Sequence, residues 1–132
     1  MYGHTLRVHD EYLAKNQAVP KNTESVGNQG VSKNASALGS AEIMMSAAQN
    51  VVLNANKSIS IRVEDSADGI SFTALPVSFK RTMGASSRTW NIGEEIARLP
   101  IPSDARTYIK VFISTDDTAA TGNVDIAFNY LP

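Results

Sequence analysis

Apolar and polar residues alternate along most of the second half of the chain, and a period of two predicts β-strands with one buried face. The clearest runs of this kind lie at residues 58–64, 75–82, 90–99, 107–114 and 123–131. They predict about six to eight short strands, the range found in antiparallel β-sandwiches and jelly rolls. The sequence therefore indicates an all-β fold, an antiparallel β-sandwich of jelly-roll-like type.

The strand predicted at residues 107–114 has two apolar faces. Tyr108 and Phe112 lie on the face opposite to the one that is predicted to be buried. A solvated face of an antiparallel sheet usually carries polar side chains, so we expect Tyr108 and Phe112 to contact a partner. Residues 116–122 are rich in turn-forming residues, and they predict a hairpin that pairs this strand with the strand at 123–131.

The segment at residues 35–49 is compatible with a helix or a strand. Its apolar residues fall at helical spacing, and it contains several alanines, the best helix formers. Gly39 and the short apolar run Ile43-Met44-Met45 favour a first strand instead. Both alternatives stay open at the level of sequence, and we favour the strand.

The first third of the chain differs in composition from the rest. Residues 14–41 consist largely of Ala, Ser, Asn, Gln, Gly and Lys, whereas most Val, Ile and aromatic residues lie beyond residue 50. Such a stretch buries too little apolar surface to offset the loss of chain entropy by itself. We therefore expect an extended or irregular N-terminal arm at residues 1–41 and one β-sandwich domain at residues 42–132.

Charge and cysteine content exclude several partners. The chain has 132 residues, with 12 Lys and Arg against 13 Asp and Glu, a formal net charge of -1. This balance gives no general attraction to phosphate backbones or anionic membranes, and no apolar run approaches the ~18 residues of a membrane span. The chain has no cysteine, which excludes disulfides and thiolate metal sites. We expect no nucleic acid and no membrane as partners.

The residue types that catalysis needs are placed unfavourably. The two histidines, His4 and His9, lie in the predicted arm, where nothing holds a general base near a nucleophile. Glu94 and Glu95 are adjacent, so in a strand they point to opposite faces and cannot flank one bond. We predict no catalytic residue, and the chain is expected not to be an enzyme.

The segment Glu64–Gly69 has the oxygen-rich character of a calcium loop, but it lacks an essential ligand. With Glu64 as the first position, the twelfth position is Leu75, where a bidentate Glu is required. The Asp68-Gly69 pair is instead typical of a turn between strands, because glycine readily adopts positive φ angles. We therefore predict no metal site and no cofactor.

A local excess of basic residues lies close to the single tryptophan. Lys80, Arg81 and Arg88 bracket a Gly-Ala-Ser-Ser loop that precedes Trp90. Such a loop is either a solvated surface loop or a contact with the acidic surface of a partner. The sequence leaves both interpretations open.

Three segments together resemble a known family. They are Ser66 to Thr73, Gly93 to Pro100, and Tyr108 to Leu131. With a turn after a strand at Asp65 to Phe72, a Leu-Pro step at Leu99-Pro100 and a loop rich in Thr, Ala and Gly at Thr115 to Asn123, the chain resembles the small β-sandwich cement, or decoration, proteins of tailed-bacteriophage capsids. The resemblance covers about the C-terminal two thirds of the chain.

The resemblance implies a non-enzymatic structural protein of the virion. Such proteins bind the outer capsid surface, bridge neighbouring major capsid subunits and stabilise the shell, usually as homodimers or homotrimers. The implied location is the outer surface of the virion, with the host cytoplasm during assembly. The predicted arm would contact capsid or sister subunits through its apolar residues, and the closing strands would add two aromatics. These candidate contact residues are Tyr2, Leu6, Val8, Tyr12, Leu13, Tyr108 and Phe112.

An alternative function is a carbohydrate-binding or fibre-tip β-sandwich module. β-Sandwiches often present aromatic side chains to sugars, and Trp90 is the one tryptophan available. A single tryptophan is more often a core residue than a sugar platform. The exposure of Trp90 therefore bears directly on this alternative.

Overall fold

The computed structural model describes residues 6–29, 32–33, 41–101 and 108–130. Within these residues the chain forms eleven β-strands and no helix. The strands are β1 (Leu6–Ala18), β2 (Glu24–Val26), β3 (Ser32–Lys33), β4 (Ala41–Ala47), β5 (Val51–Leu53), β6 (Ser58–Ser66), β7 (Thr73–Thr82), β8 (Arg88–Trp90), β9 (Glu95–Pro100), β10 (Tyr108–Thr115) and β11 (Asn123–Tyr130).

The strands form two main sheets and one small one. Sheet A has the order β1-β11-β4-β9, and sheet B has the order β2-β10-β6-β7, with β3 also paired to β10. A two-stranded sheet joins β5 to β8. Every one of these pairings is antiparallel.

The strand pairs are nested along the chain. The innermost pair is β6 with β7, and around it lie β5 with β8, β4 with β9, β2 and β3 with β10, and β1 with β11. The chain thus behaves as one long antiparallel ribbon that doubles back at the β6–β7 loop. The additional pairings of β11 with β4 and of β10 with β6 roll this ribbon into the two sheets.

The two sheets share one hydrophobic core. On β6 and β10 the alternate residues, such as Ile61 and Ile113, are almost fully buried, as the period of two predicts. Met45 and Ile126 come from sheet A and belong to the same cluster. The prediction of an all-β, antiparallel, β-sandwich-like fold is confirmed.

The ambiguous segment at residues 35–49 contains a strand. Ala41–Ala47 forms β4, between β11 and β9 in the middle of sheet A. Ile43 and Met45 are fully buried there, because a central strand receives side chains from both neighbours. The preference for a strand is confirmed for these residues, and residues 35–40 lie outside the described part of the chain.

The predicted hairpin of the last two strands is wrong. The strands β10 and β11 lie in different sheets, so residues 116–122 cross from sheet B to sheet A at one end of the sandwich. The crossing segment is tied to β5, since Val52 and Thr121 exchange backbone hydrogen bonds of 3.0 and 3.2 Å. A turn-rich loop of this length permits a crossover as readily as a hairpin, and both flanking strands have a full apolar face to bury.

The extended N-terminal arm is not confirmed. In the predicted arm, β1 pairs along β11 and so completes sheet A, while β2 and β3 pair with β10 at the edge of sheet B. Leu13 and Ala14 are fully buried in the core. The composition argument assumed that the segment had to bury its own apolar surface, whereas a few apolar residues suffice when the remaining strands supply the rest of the core.

Candidate functional site

The outer face of β10 is covered in part by neighbouring side chains of sheet B. Phe112 lies opposite Arg62 in the register of β10 and β6, and the guanidinium carbon of Arg62 is 4.1 Å from the centre of the Phe112 ring. Similarly, the Nζ atom of Lys110 is 4.2 Å from the centre of the Phe72 ring. The contact with Arg62 leaves Phe112 half-buried rather than bare.

Arg62, on β6, also joins this strand to β2. Its Nε and Nη2 atoms donate hydrogen bonds of 2.9 Å to the two carboxylate oxygens of Glu24, and its Nη1 atom donates to Glu64 at 2.7 Å. The hydrogen bond from Arg62 lowers the pKa of Glu24, and the same contacts raise the pKa of Arg62. The outer face of sheet B therefore carries a closed charge network beside Phe112.

Tyr108 lies at the other end of β10, against the β6–β7 loop. A Cβ atom added to Gly69 would lie 3.5 Å from the Tyr108 ring, which places the glycine directly against the aromatic face. Gly69 has a φ of +78°, a left-handed conformation that favours glycine. The prediction of a turn at Asp68-Gly69 is consistent with this geometry.

Asp68 organises the β6–β7 loop from within. Its Oδ1 atom accepts hydrogen bonds from the Ile70 amide at 2.8 Å, the Ser71 amide at 3.1 Å and the Ser66 hydroxyl at 2.8 Å. These bonds, that from Ile70 first, lower the pKa of Asp68 to about 2. The loop presents Ile70 with 83% of its surface exposed, so a large apolar side chain is held outward on an ordered turn.

The β8–β9 turn has the same design. The Ile92 amide donates to Asn50 Oδ1 at 3.1 Å, the Asn91 amide donates to Glu94 Oε1 at 2.9 Å, and the Gly93 amide donates to the Ala47 carbonyl at 2.8 Å. Gly93 has a φ of +88°. Ile92 is 69% exposed at the tip of this turn.

The two exposed isoleucines lie at opposite ends of the sandwich. The Ile70 loop packs on Tyr108, the first residue of β10. The Ile92 turn is bonded to Ala47, at the end of β4 where the Thr115–Asn123 crossover also lies, since Ala48 donates to the Asn123 carbonyl. The length of β10, eight residues, separates these ends by roughly 25 Å at the usual rise per residue.

Trp90 is a core residue and is covered by two arginines. Its exposed surface is 0%, so it offers no platform to a sugar ring. The guanidinium carbons of Arg88 and Arg81 lie 5.0 and 5.8 Å from the centre of the indole ring. The basic residues that flank the Gly-Ala-Ser-Ser loop thus converge on one aromatic side chain, which the sequence alone did not reveal.

The predicted contact residues of the N-terminal segment fall into four groups. Tyr2 lies outside the described residues, and Leu6 and Val8 lie on β1, where the structure describes the backbone. Tyr12 is half-buried, with Lys15 Nζ 5.5 Å from its ring centre. Leu13 is fully buried, and a buried side chain is not available to a partner, so Leu13 belongs to the core.

Asp68 and Glu94, two carboxylates that the sequence analysis considered, accept hydrogen bonds within their own turns. Among the residues that the structure describes, no group of three or more His, Asp or Glu residues could hold a metal ion. The Oδ1 atom of Asp68 accepts hydrogen bonds from three donors of its own loop. Glu94 accepts a hydrogen bond from the Asn91 amide. His4 lies outside the described residues.

Sequence reasoning missed Ile70 and Ile92 as surface residues. Ile70 belongs to no strand predicted from the sequence, and Ile92 falls within the strand predicted at residues 90–99, which the turn at residues 91–94 interrupts. The available signal was their flanks: Asp68-Gly69 before Ile70, and Asn91 and Gly93 around Ile92. Asn, Asp and Gly around one large apolar residue indicate a tight turn that holds this residue outward.

Comparisons with known proteins give no assignment. No protein-family model matches this chain, and no curated protein sequence matches it. No helical segment of the described chain has the length and apolar character to cross a bilayer.

Proposed function

We propose that this chain is a non-enzymatic structural protein of a virion, which binds the outer capsid surface and bridges neighbouring major capsid subunits to stabilise the shell. In this proposal it is a cement, or decoration, protein of a bacteriophage. It acts as a homodimer or homotrimer, and it requires no cofactor.

The nested strand order supports this class. A ribbon that is folded back once and rolled into a four-stranded and a five-stranded sheet supports a jelly-roll-like arrangement, a fold used by viral capsid proteins and by lectins. Fold alone does not decide between such functions. The burial of Trp90 argues against the lectin-like alternative, because that alternative relied on the tryptophan as a sugar platform.

The observation that carries the proposal is the pair of exposed anchors at opposite ends of the body. Ile70 and Ile92 are each held on a hydrogen-bonded turn, so little conformational entropy is lost when they enter a partner's pocket. A body with one anchor at each end can contact two neighbouring subunits at once. This is the geometry that bridging requires.

Bridging converts weak contacts into tight attachment. When the first end is bound, the second end binds at a high effective concentration, and repetition by symmetry adds further contacts. The half-buried Tyr12, Tyr108 and Phe112 extend the available contact surface along the sandwich. None of these contacts needs a deep pocket or a reactive group.

The test is co-sedimentation of the purified protein with capsid shells that lack it. We expect saturable binding at a ratio compatible with capsid symmetry, and a higher melting temperature of the decorated shell. Light scattering of the free protein gives its oligomeric state. A protein that stays in the supernatant at every concentration, with shells of unchanged stability, would contradict the proposal.

A further inference from the structure

We propose that the tryptophan–arginine cluster, formed by Trp90, Arg81 and Arg88, binds the carboxylate groups of an acidic segment of a partner protein. The proposal names the chemistry by which the Ile92 end of the molecule recognises its partner. It rests on the proposed function for the identity of that partner, which would be the capsid subunit.

The arginines of the described chain fall into two classes. Arg62 is bonded to two carboxylates, those of Glu24 and Glu64, and Arg98 is bonded to Glu42 and Glu95. By contrast, Arg81 and Arg88 make no ion pair with any carboxylate of the described residues. Both make cation–π contacts with the ring of Trp90. Among the arginine side chains that the structure describes, two are thus paired with carboxylates, and Arg81 and Arg88 are not.

The arrangement of Arg81 and Arg88 favours the binding of an anion. Both guanidinium carbons lie within 6 Å of one ring centre, so two positive charges lie against the same aromatic side chain. Packing on the indole removes water from one side of each guanidinium group and fixes its orientation. The carboxylates of an acidic segment relieve the repulsion between the two arginines and accept hydrogen bonds from their preorganised donors.

The surroundings favour a protein carboxylate over a phosphate backbone. Ile92, two residues beyond Trp90, is 69% exposed and offers an apolar contact beside the charges. Glu94, on the same turn, is exposed, and its carboxylate repels a nucleic acid, whose negative charge is denser than that of a short acidic segment. Arginine and aromatic residues beside an apolar anchor are the typical composition of a protein-binding hot spot.

Trp90 is the single tryptophan of the chain, so its fluorescence reports on the cluster alone. The probe is the peptide Glu-Glu-Leu-Glu-Glu, titrated into the full-length protein at low ionic strength. We expect a saturable change in emission that is weakened at least tenfold by the double substitution Arg81→Gln with Arg88→Gln. The matched control, Arg62→Gln with Arg98→Gln, removes the same charge elsewhere and is expected to change the affinity less than twofold.

Three results would overturn the proposal. The first is an absence of saturable change in emission, and the second is an equal loss of affinity in the two double variants. The third is tighter binding of inorganic phosphate or of oligothymidylate than of the peptide. If the double variant of the cluster does not fold, Arg88→Gln alone decides the question, because Arg88 is exposed and its loss is expected to weaken peptide binding at least threefold.

The capsid experiment separates this proposal from the proposed function. If the wild-type protein binds the peptide but does not sediment with shells, the cluster stands and the cement role fails. If the wild-type protein sediments with shells and the cluster variant sediments equally well, the cement role stands and the assignment of this surface is wrong.

Discussion

Asn54 and Asp117, far apart in the chain, are joined by two hydrogen bonds. The backbone amide of Asn54 donates to Asp117 Oδ2 at 2.8 Å, and its side-chain amide donates to Oδ1 at 3.1 Å. The Ala119 amide donates to the same carboxylate at 2.8 Å, and Asp117 is 1% exposed. One buried carboxylate therefore fixes the crossover between the two sheets onto the loop after β5.

The substitution Asp117→Ala is expected to lower the free energy of unfolding by about 2 to 4 kcal/mol, because it leaves several buried donors without an acceptor. Urea unfolding followed by Trp90 fluorescence measures the change. Thr118→Ala, at the next and exposed position, is the matched control and is expected to change stability by less than about 0.5 kcal/mol. Equal effects of the two substitutions would show that the carboxylate has no special role.

Stability is also expected to decline in acid. The pKa of Asp68 falls from 3.8 to about 2, chiefly because the Ile70 amide bonds to the carboxylate. The pKa of Asp116 is lowered by the bond from the Ser58 amide, and in Asp117 hydrogen bonds from Asn54 and Ala119 outweigh the opposing effect of burial. A carboxyl whose pKa is lower in the folded chain binds protons more tightly when unfolded, so its contribution is lost as the pH falls.

The measurement is urea unfolding between pH 7 and pH 2. We expect a free energy of unfolding that is level above about pH 5 and that falls steadily toward the folded-state pKa values. Asp68→Asn removes one titrating group and is expected to flatten the acid limb. A wild-type curve that is level down to pH 2.5 would contradict the assignment of these hydrogen bonds.

The strands themselves were predictable because their period is local. The runs that became β6, β7, β10 and β11 were all recognised, since one buried face imposes alternation on each strand separately. Their pairing was less accessible. Nothing in the loop at 116–122 distinguishes a hairpin from a crossover, because the choice depends on which sheet offers the next apolar face.

The functional surfaces were less predictable for a similar reason. The convergence of Arg81 and Arg88 on Trp90 depends on β7 and β8 meeting at one end of the sandwich, which is a property of the fold rather than of spacing. The sequence predicts Leu13 as an anchor of a free arm because residues 14–41, which follow it, are poor in large apolar side chains. The structure instead places it at 0% exposure, so one apolar residue can mark a core strand within a polar segment.

The substitution Leu13→Ala tests whether β1 belongs to the core. We expect a loss of about 2 to 5 kcal/mol in the free energy of unfolding, because a fully buried leucine leaves a cavity when it is truncated. Lys21→Ala, exposed in the loop after β1, is the control and is expected to be nearly neutral. Removal of residues 1–18 is expected to yield an unfolded or aggregated chain, since β11 loses its partner strand. A truncated chain that unfolds cooperatively with unchanged stability would instead support the prediction of an arm that lies outside the core.

The substitution Gly122→Ala tests the close approach at the end of the crossover. Gly122 has a φ of +106°, and an added Cβ would lie 2.3 Å from the backbone oxygen of Asn50. Because neither backbone can move freely, we expect a loss of at least about 2 kcal/mol in the free energy of unfolding.

Gly84→Ala is the matched control for this substitution. An added Cβ at Gly84 meets no atom within 4 Å, and the φ angle of Gly84 lies outside the left-handed region. We expect an effect between neutral and a gain of about 1 kcal/mol, because alanine restricts the unfolded chain. If both glycine variants lost the same stability, the close contact at Asn50 would not be the cause.

The two isoleucine anchors give the sharpest test of bridging. Ile70→Ser and Ile92→Ser replace exposed side chains, so each is expected to change the free energy of unfolding by less than about 0.5 kcal/mol. Each single variant is expected to weaken capsid binding, and the double variant is expected to abolish it, because avidity requires both ends to be engaged.

The comparison of single and double variants decides between bridging and one-sided attachment. If one anchor alone attached the protein, its loss would abolish binding and loss of the other would have no effect, whereas bridging makes both matter. Shell stability distinguishes the two cases further. A single-anchor variant that still decorates the shell occupies one subunit at a time, so we expect it to leave the melting temperature of the shell unchanged. The wild-type protein links neighbouring subunits and is expected to raise this temperature.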